Sequence, residues 1–193
     1  MKTALALGIF SLLINPAAGA ELRGDWTDRK ADKVSPLTEF KAPADIAERY
    51  DARIRGFVYP PRTGDYIFAV TCDDQAELYL STSKSARKKK LIAHCPEWAE
   101  AGNYKKFPSQ KSRTLRLSGG KAYYIEALHK ENVSGDHLSV AWIVPGSDKL
   151  TVIPGARLSP YPTGKKGGIN HELWPEQEAP PVKGTPKVKV TSR

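Results

Sequence analysis

Hydrophobic and polar residues alternate with a period of two through most of the middle of the chain. Behind the turn signal Pro60-Pro61-Arg62-Thr63-Gly64, Tyr66, Phe68 and Val70 fall on one face and Ile67, Ala69 and Thr71 on the other, the pattern of a β-strand bounded by a loop. Leu78 and Leu80 then alternate with Glu77 and Tyr79, so the next strand begins almost at once. The same pattern predicts strands over 52–59, 65–71, 76–81, 90–93, 113–117, 122–129 and 138–144. Ser118-Gly119-Gly120-Lys121 makes a tight turn between two of these, and Pro145-Gly146 ends the last. Seven short strands separated by turns predict an all-β, antiparallel β-sandwich or barrel. The helical pattern is confined to one turn over 42–48, and Trp26, Leu37, Phe40, Ile46 and Tyr50 are expected packing contacts in the polar lead-in over 21–52.

The two ends of the chain differ from this middle. Lys2, an apolar run from Ala4 to Ile14 and the small residues Ala18-Gly19-Ala20 follow in the order of a secretory signal peptide, expected over 1–20. The run is too short for a bilayer core of roughly 30 Å, which takes about 20 residues as a helix. No second such run follows, so the expectation is an exported protein without a transmembrane segment, secreted or held in the periplasm or cell envelope. After residue 161 the composition turns to Pro, Gly and Lys, which predicts a flexible or surface-lying tail over 162–193 and one domain over 21–161. Within that tail, His171, Leu173 and Trp174 are the spot that could dock.

A hydrophobic content of 40% supports a folded core, and the formal net charge of +9 suits an acidic partner. Much of that charge is peripheral: Arg87-Lys88-Lys89-Lys90 reads as an exposed hairpin arm, and the tail holds Lys165, Lys166, Lys183, Lys187, Lys189 and Arg193. With no recognition helix, zinc knuckle or stacking motif beside the charge, no specific nucleic-acid binding is expected.

The candidate chemistry lies between two strands, in Cys72-Asp73-Asp74-Gln75. Two neighbouring carboxylates in a strand connection are either turn residues chosen for local hydrogen bonds or ligands sharing a cation. They are too close to flank a bond for hydrolysis, which takes carboxyls about 5–9.5 Å apart. The chain holds no HExxH, GxSxG or GxxxxGK[ST], and His94, His129, His137 and His171 have no metal-ligand spacing. A non-catalytic protein is therefore expected. Cys72 and Cys95 are the sole cysteines, and in an exported chain they are expected to form a disulfide. Asn132-Val133-Ser134 is a glycosylation sequon.

The segments RIRGFVYPPRTGDYIFAV, CDDQAELYL, GGKAYYIEALHKENVSGDHLSVAW and IPGARLSPY, taken in order, resemble the protective-antigen "PA-fourteen" domain, with the closest likeness to bacterial extracellular versions. The resemblance implies a jelly-roll-like β-sandwich. In the family's lectin and flocculin-type adhesin members it also implies two consecutive aspartates joined by a cis peptide, which hold Ca²⁺ together with an asparagine on a neighbouring loop. The aspartates match at Asp73 and Asp74 and the asparagine at Asn132; Gln75 stands where the family commonly has glycine. Asp136 and loop carbonyls such as those of Val133 and Ser134 are further expected donors. Gln75, Val133, Ser134, Gly135 and His137 then line the expected sugar-binding loops. On this reading the protein is a secreted, calcium-dependent carbohydrate-binding module. The alternative is an envelope scaffold that has lost sugar binding and contacts an anionic polymer through its basic surface.

Overall fold

A computed structural model describes residues 22 and 30–175. The expected leader, Trp26 and the end of the expected tail lie outside these residues. The described chain is an antiparallel β-sandwich of eleven strands: β1 Lys33–Leu37, β2 Tyr50–Val58, β3 Gly64–Asp73, β4 Gln75–Ser81, β5 Lys89–Cys95, β6 Leu115–Leu117, β7 Tyr123–Glu131, β8 His137–Ile143, β9 Thr151–Val152, β10 Leu158–Pro160 and β11 Ile169–Pro175. The larger sheet has the order β1-β11-β2-β7-β4-β5, with β10 also on β2; the smaller has the order β6-β3-β8-β9.

Each expected strand forms, and the alternation explains which side chains meet. In β3, Tyr66, Phe68, Val70 and Cys72 are fully buried against Leu138, Val140 and Trp142 of β8 and against Ile54, Leu78 and Ile125 of the larger sheet. Tyr66, Phe68 and Trp142 form an aromatic cluster with ring centroids 5.5–6.5 Å apart. Burying each such ring stabilises the fold by about 1.5–3 kcal/mol. At the predicted tight turn, Gly120 takes φ +73° and donates its N–H to Pro60 O, closing the β6–β7 connection onto the loop before β3.

Two expectations are corrected. Residues 42–48 hold bends rather than a helical turn, because the N–H groups of Asp45, Ile46 and Ala47 are taken by Asp136, and that of Ala42 by Leu138 O, instead of by the segment's own carbonyls. The basic run lies in the β4–β5 hairpin, as expected, with Arg87, Lys88 and Lys90 exposed: Ala86–Lys88 makes a single 3₁₀ turn, and Lys89 begins β5, pairing with Glu126 and lying over the Tyr79 ring. Most consequentially, the domain does not end at 161. β11 sits between β1 and β2, with Ile169 and His171 facing the core and Glu172 on the other face bonded to Arg53 and Arg55. Gly167-Gly168 makes the entry possible, since a side chain on Gly168 would meet Leu37 O at 2.3 Å. Among the described residues, no helix is long and apolar enough to cross a membrane.

Candidate metal centre

The chain crosses from the smaller to the larger sheet at Asp73-Asp74. Asp73 closes β3 opposite His137 of β8, and Gln75 opens β4 opposite Lys130 of β7, leaving Asp74 alone as the connection. Such a crossover places both carboxylates at the rim of the sandwich, half-buried and held by neighbouring backbone. The Asp73–Asp74 peptide is cis. His129 Nε2 lies 2.6 Å from Asp73 O, Asp74 N donates to Lys130 O, and Asn132 N donates to Asp74 Oδ2 at 2.8 Å. Asp74 and Asn132, from two loops, are thereby in direct contact.

A third carboxylate completes the cluster. Glu131, the last residue of β7, has an oxygen that lies with those of Asp73 and Asp74 inside a group spanning no more than 4.8 Å. It is 1% exposed, and neither carboxylate oxygen has a hydrogen-bond partner. A buried carboxylate without a partner is costly, so burial first, and the charges of Asp74, Asp73, Asp136 and Glu48 after it, push the Glu131 acid up to about 8. Burial and then the Asp74 charge raise Asp73 as well. Three convergent carboxylates, one of them orphaned, fit a hard divalent cation, which takes oxygen donors and offsets their mutual repulsion. Glu131 is in phase with Ile125, Ala127 and His129 on the core-facing side of β7. That carboxylate in an apolar register was the sequence signal for it.

Asp136, by contrast, is not part of the cluster. It is 2% exposed, and its Oδ2 accepts from Ile46 N at 2.8 Å and Ala47 N at 3.3 Å, so it anchors the 42–48 loop. Val133, Ser134 and Gly135 are exposed on the loop after β7, with Ser134 at φ +87° and its N–H on Glu48 Oε2. Gln75 is half-buried at the start of β4. His137 turns toward another segment, its Nε2 lying 2.8 Å from Ala99 O. Ala99 N in turn donates to Cys72 O, which fixes the loop after β5 beside the acidic pair. That loop carries Trp98, 54% exposed, with Lys106 Nζ 3.8 Å from its ring centroid and bonded to its carbonyl. No strand pattern surrounds Trp98, which is why sequence reasoning passed over it.

The expected disulfide is absent: Cys72 and Cys95 are buried free thiols. Cys72 Sγ lies 4.0 Å from Cys95 O, Cys95 Sγ donates to Glu97 O at 3.1 Å, and the two thiols also hydrogen-bond to each other. Burial pushes the Cys72 thiol well above its ordinary range.

Residues 18–155 match the PA14 domain family. Among curated proteins, N-acetyl-beta-glucosaminyl-glycoprotein 4-beta-N-acetylgalactosaminyltransferase 1 of Mus musculus is 35% identical over 147 residues, 72% of this chain and 14% of the relative. Fibrocystin of Mus musculus is 35% identical over 86 residues, 40% of this chain and 2% of the relative. The chain thus spans a small part of both relatives. Among solved structures, the epithelial adhesin 6 A domain from Candida glabrata, in complex with Galb1-3GlcNAc, superimposes with a TM-score of 0.45 at 14% identity, covering 65% of this chain and 60% of that one.

Proposed function

Because the chain belongs to the PA14 domain family, we propose that it is a non-catalytic carbohydrate-binding module whose sugar contact depends on calcium held by Asp73, Asp74, Glu131 and Asn132. The observation that carries this reading is Glu131: a buried carboxylate with both oxygens unpartnered, beside two more carboxylates, is stable as an anion only with a cation among them. When bound, Ca²⁺ takes about six to eight oxygen ligands and accepts sugar hydroxyls as part of that shell.

The chain's own groups have distinct roles. Asp73 and Asp74 present charge at the rim, Glu131 supplies it from beneath, and the Asn132 N–H orients Asp74 through its Oδ2. Trp98 and Val133, 54% and 52% exposed, offer apolar surface near the acidic pair, suited to the C–H face of a sugar ring. The mouse transferase, matched over 14% of its length, acts on a glycoprotein glycan, which supports glycan contact for the matched module. A glycan array probed with the intact protein in calcium and again in chelator tests the reading. Binding to a set of glycans that chelator abolishes is expected; a pattern unchanged by chelator contradicts it.

A further inference from the structure

The sandwich has a concave feature at the end away from the acidic cluster. β5 is the outer strand of the larger sheet and β6 that of the smaller. Between these two open edges lies a cleft of about 670 Å³, lined in part by Leu80–Thr82 at the end of β4 and by Tyr123 at the start of β7. The acidic cluster is at the opposite ends of the same two strands. The nine residues of β7, rising about 3.3 Å each, put the two features roughly 25 Å apart.

The lining is divided by chemistry. Its floor is aliphatic, formed by Leu80, Ile92, Leu115 and Leu117, with Leu91 46% exposed at the mouth. Strict alternation would send Leu91 and Ile92 to opposite faces. The register between β4 and β5 shifts at this point: Leu78 pairs with Ala93 and Tyr79 with Leu91, leaving Ile92 unopposed. Such a bulge re-aims side chains at a sheet edge, and both residues line the cleft. The rim is cationic, made by Lys90, Arg113, Arg116 and Lys121, and among the described residues no acidic one lines the cleft. Arg116 is paired with Asp65 at 3.2 Å, an exposed contact; among the described residues the other three cations have no carboxylate partner. The one aromatic ring, Tyr123, is buried with its hydroxyl accepting from Ser118 N, so it presents no stacking platform for a sugar.

We propose that this cleft binds an anionic amphiphile, an aliphatic body on the Leu91–Ile92 and Leu115–Leu117 floor with a carboxylate or phosphate head among Lys90, Arg113 and Lys121. Its volume falls within the range of about 300–1,000 Å³ usual for ligand pockets, and its apolar floor with a few convergent charges has the composition of one. The site is independent of the calcium cluster and of the sugar reading.

Titration calorimetry on the intact protein with octanoate and octyl phosphate, below micelle formation, tests it against octanol and inorganic phosphate. Saturable binding is expected for both anionic amphiphiles, about tenfold or more tighter than for either control. The double variant Lys90→Glu/Arg113→Glu and the single variant Leu91→Asp, all at exposed positions, should each weaken it by a similar factor with unchanged melting temperature. Lack of saturable binding, equal binding of octanol or inorganic phosphate, or full binding by both variants would overturn the proposal. So would binding confined to an acidic peptide offered to the open strand edges.

Discussion

Glu131 and Asp136 show how far single residues were legible. Asp73 and Asp74 stood out because acidic residues interrupt a strand pattern, and Asn132 stood out through the family resemblance. Glu131 lies two residues past the strand predicted over 122–129 and was not singled out, although its phase is that of Ile125 and Ala127. Asp136 had the right residue type in the right loop, but its Oδ2 is taken by the N–H groups of Ile46 and Ala47, about 90 residues away in sequence, which leaves only its buried Oδ1 without a partner. Two predictions belong at this scale. Asp74→Asn and Glu131→Gln are nearly isosteric, so each should weaken calcium by about tenfold or more, about 1.4 kcal/mol, while circular dichroism stays that of the sandwich. Trp98→Ala should leave calcium affinity unchanged and weaken glycan binding about tenfold; an unchanged glycan affinity would remove Trp98 from the sugar surface. Both are read by calorimetry.

At the scale of elements, the strands with strict alternation were legible and the ones held by tertiary contacts were not. β7 could be read from YYIEALHKE alone. β1 contains Pro36, and β11 follows Gly167-Gly168, so local composition pointed to loop and tail, whereas pairing with β2 and the bonds of Glu172 make β11 an interior strand. Glu172 accepts from Arg53 at 2.6 and 2.9 Å and from Arg55 at 2.7 Å, both glutamate and Arg53 being nearly buried. Removing one partner of such a pair leaves uncompensated buried charge, at a cost of about 3 kcal/mol. Glu172→Ala should therefore lower the melting temperature by roughly 6–12 °C, and a chain ending at 161 should not fold; a melting point within a degree of wild type would contradict the first. β11 also carries His171, 1% exposed, whose pKa burial first, and then the His129 charge, lower to about 4 while Asp136 raises it and Lys33 lowers it. The unfolded state binds that proton from about pH 6.5 downward and the folded state does so at about 4, so the stability it contributes is present above 6.5 and lost as pH falls toward 4. His129 acts in the same direction. His171→Gln should make the fall in melting temperature between pH 6.5 and 4 shallower without abolishing it; an identical slope would contradict this.

For the whole molecule, the sandwich is a scaffold with chemistry at its rims. The acidic centre is formed where the chain changes sheets, so its ligands come from the β3–β4 crossover and the end of β7, and an ion there ties one sheet to the other. The fold was legible because each layer's alternation is independent of the other. The centre was half-legible, because convergence of β3 and β7 is a property of the packed sandwich and of neither strand. A cation bound only by the folded chain stabilises it in proportion to its occupancy, by about 2.7 kcal/mol at a hundredfold excess over Kd. The most direct test is the melting temperature of the intact protein titrated with calcium to millimolar, beside Glu131→Gln. A saturable rise in the wild type, reversed by chelator and reduced in the variant, is predicted. A flat titration in the wild type, or an equal rise in both proteins, would contradict calcium binding at this centre.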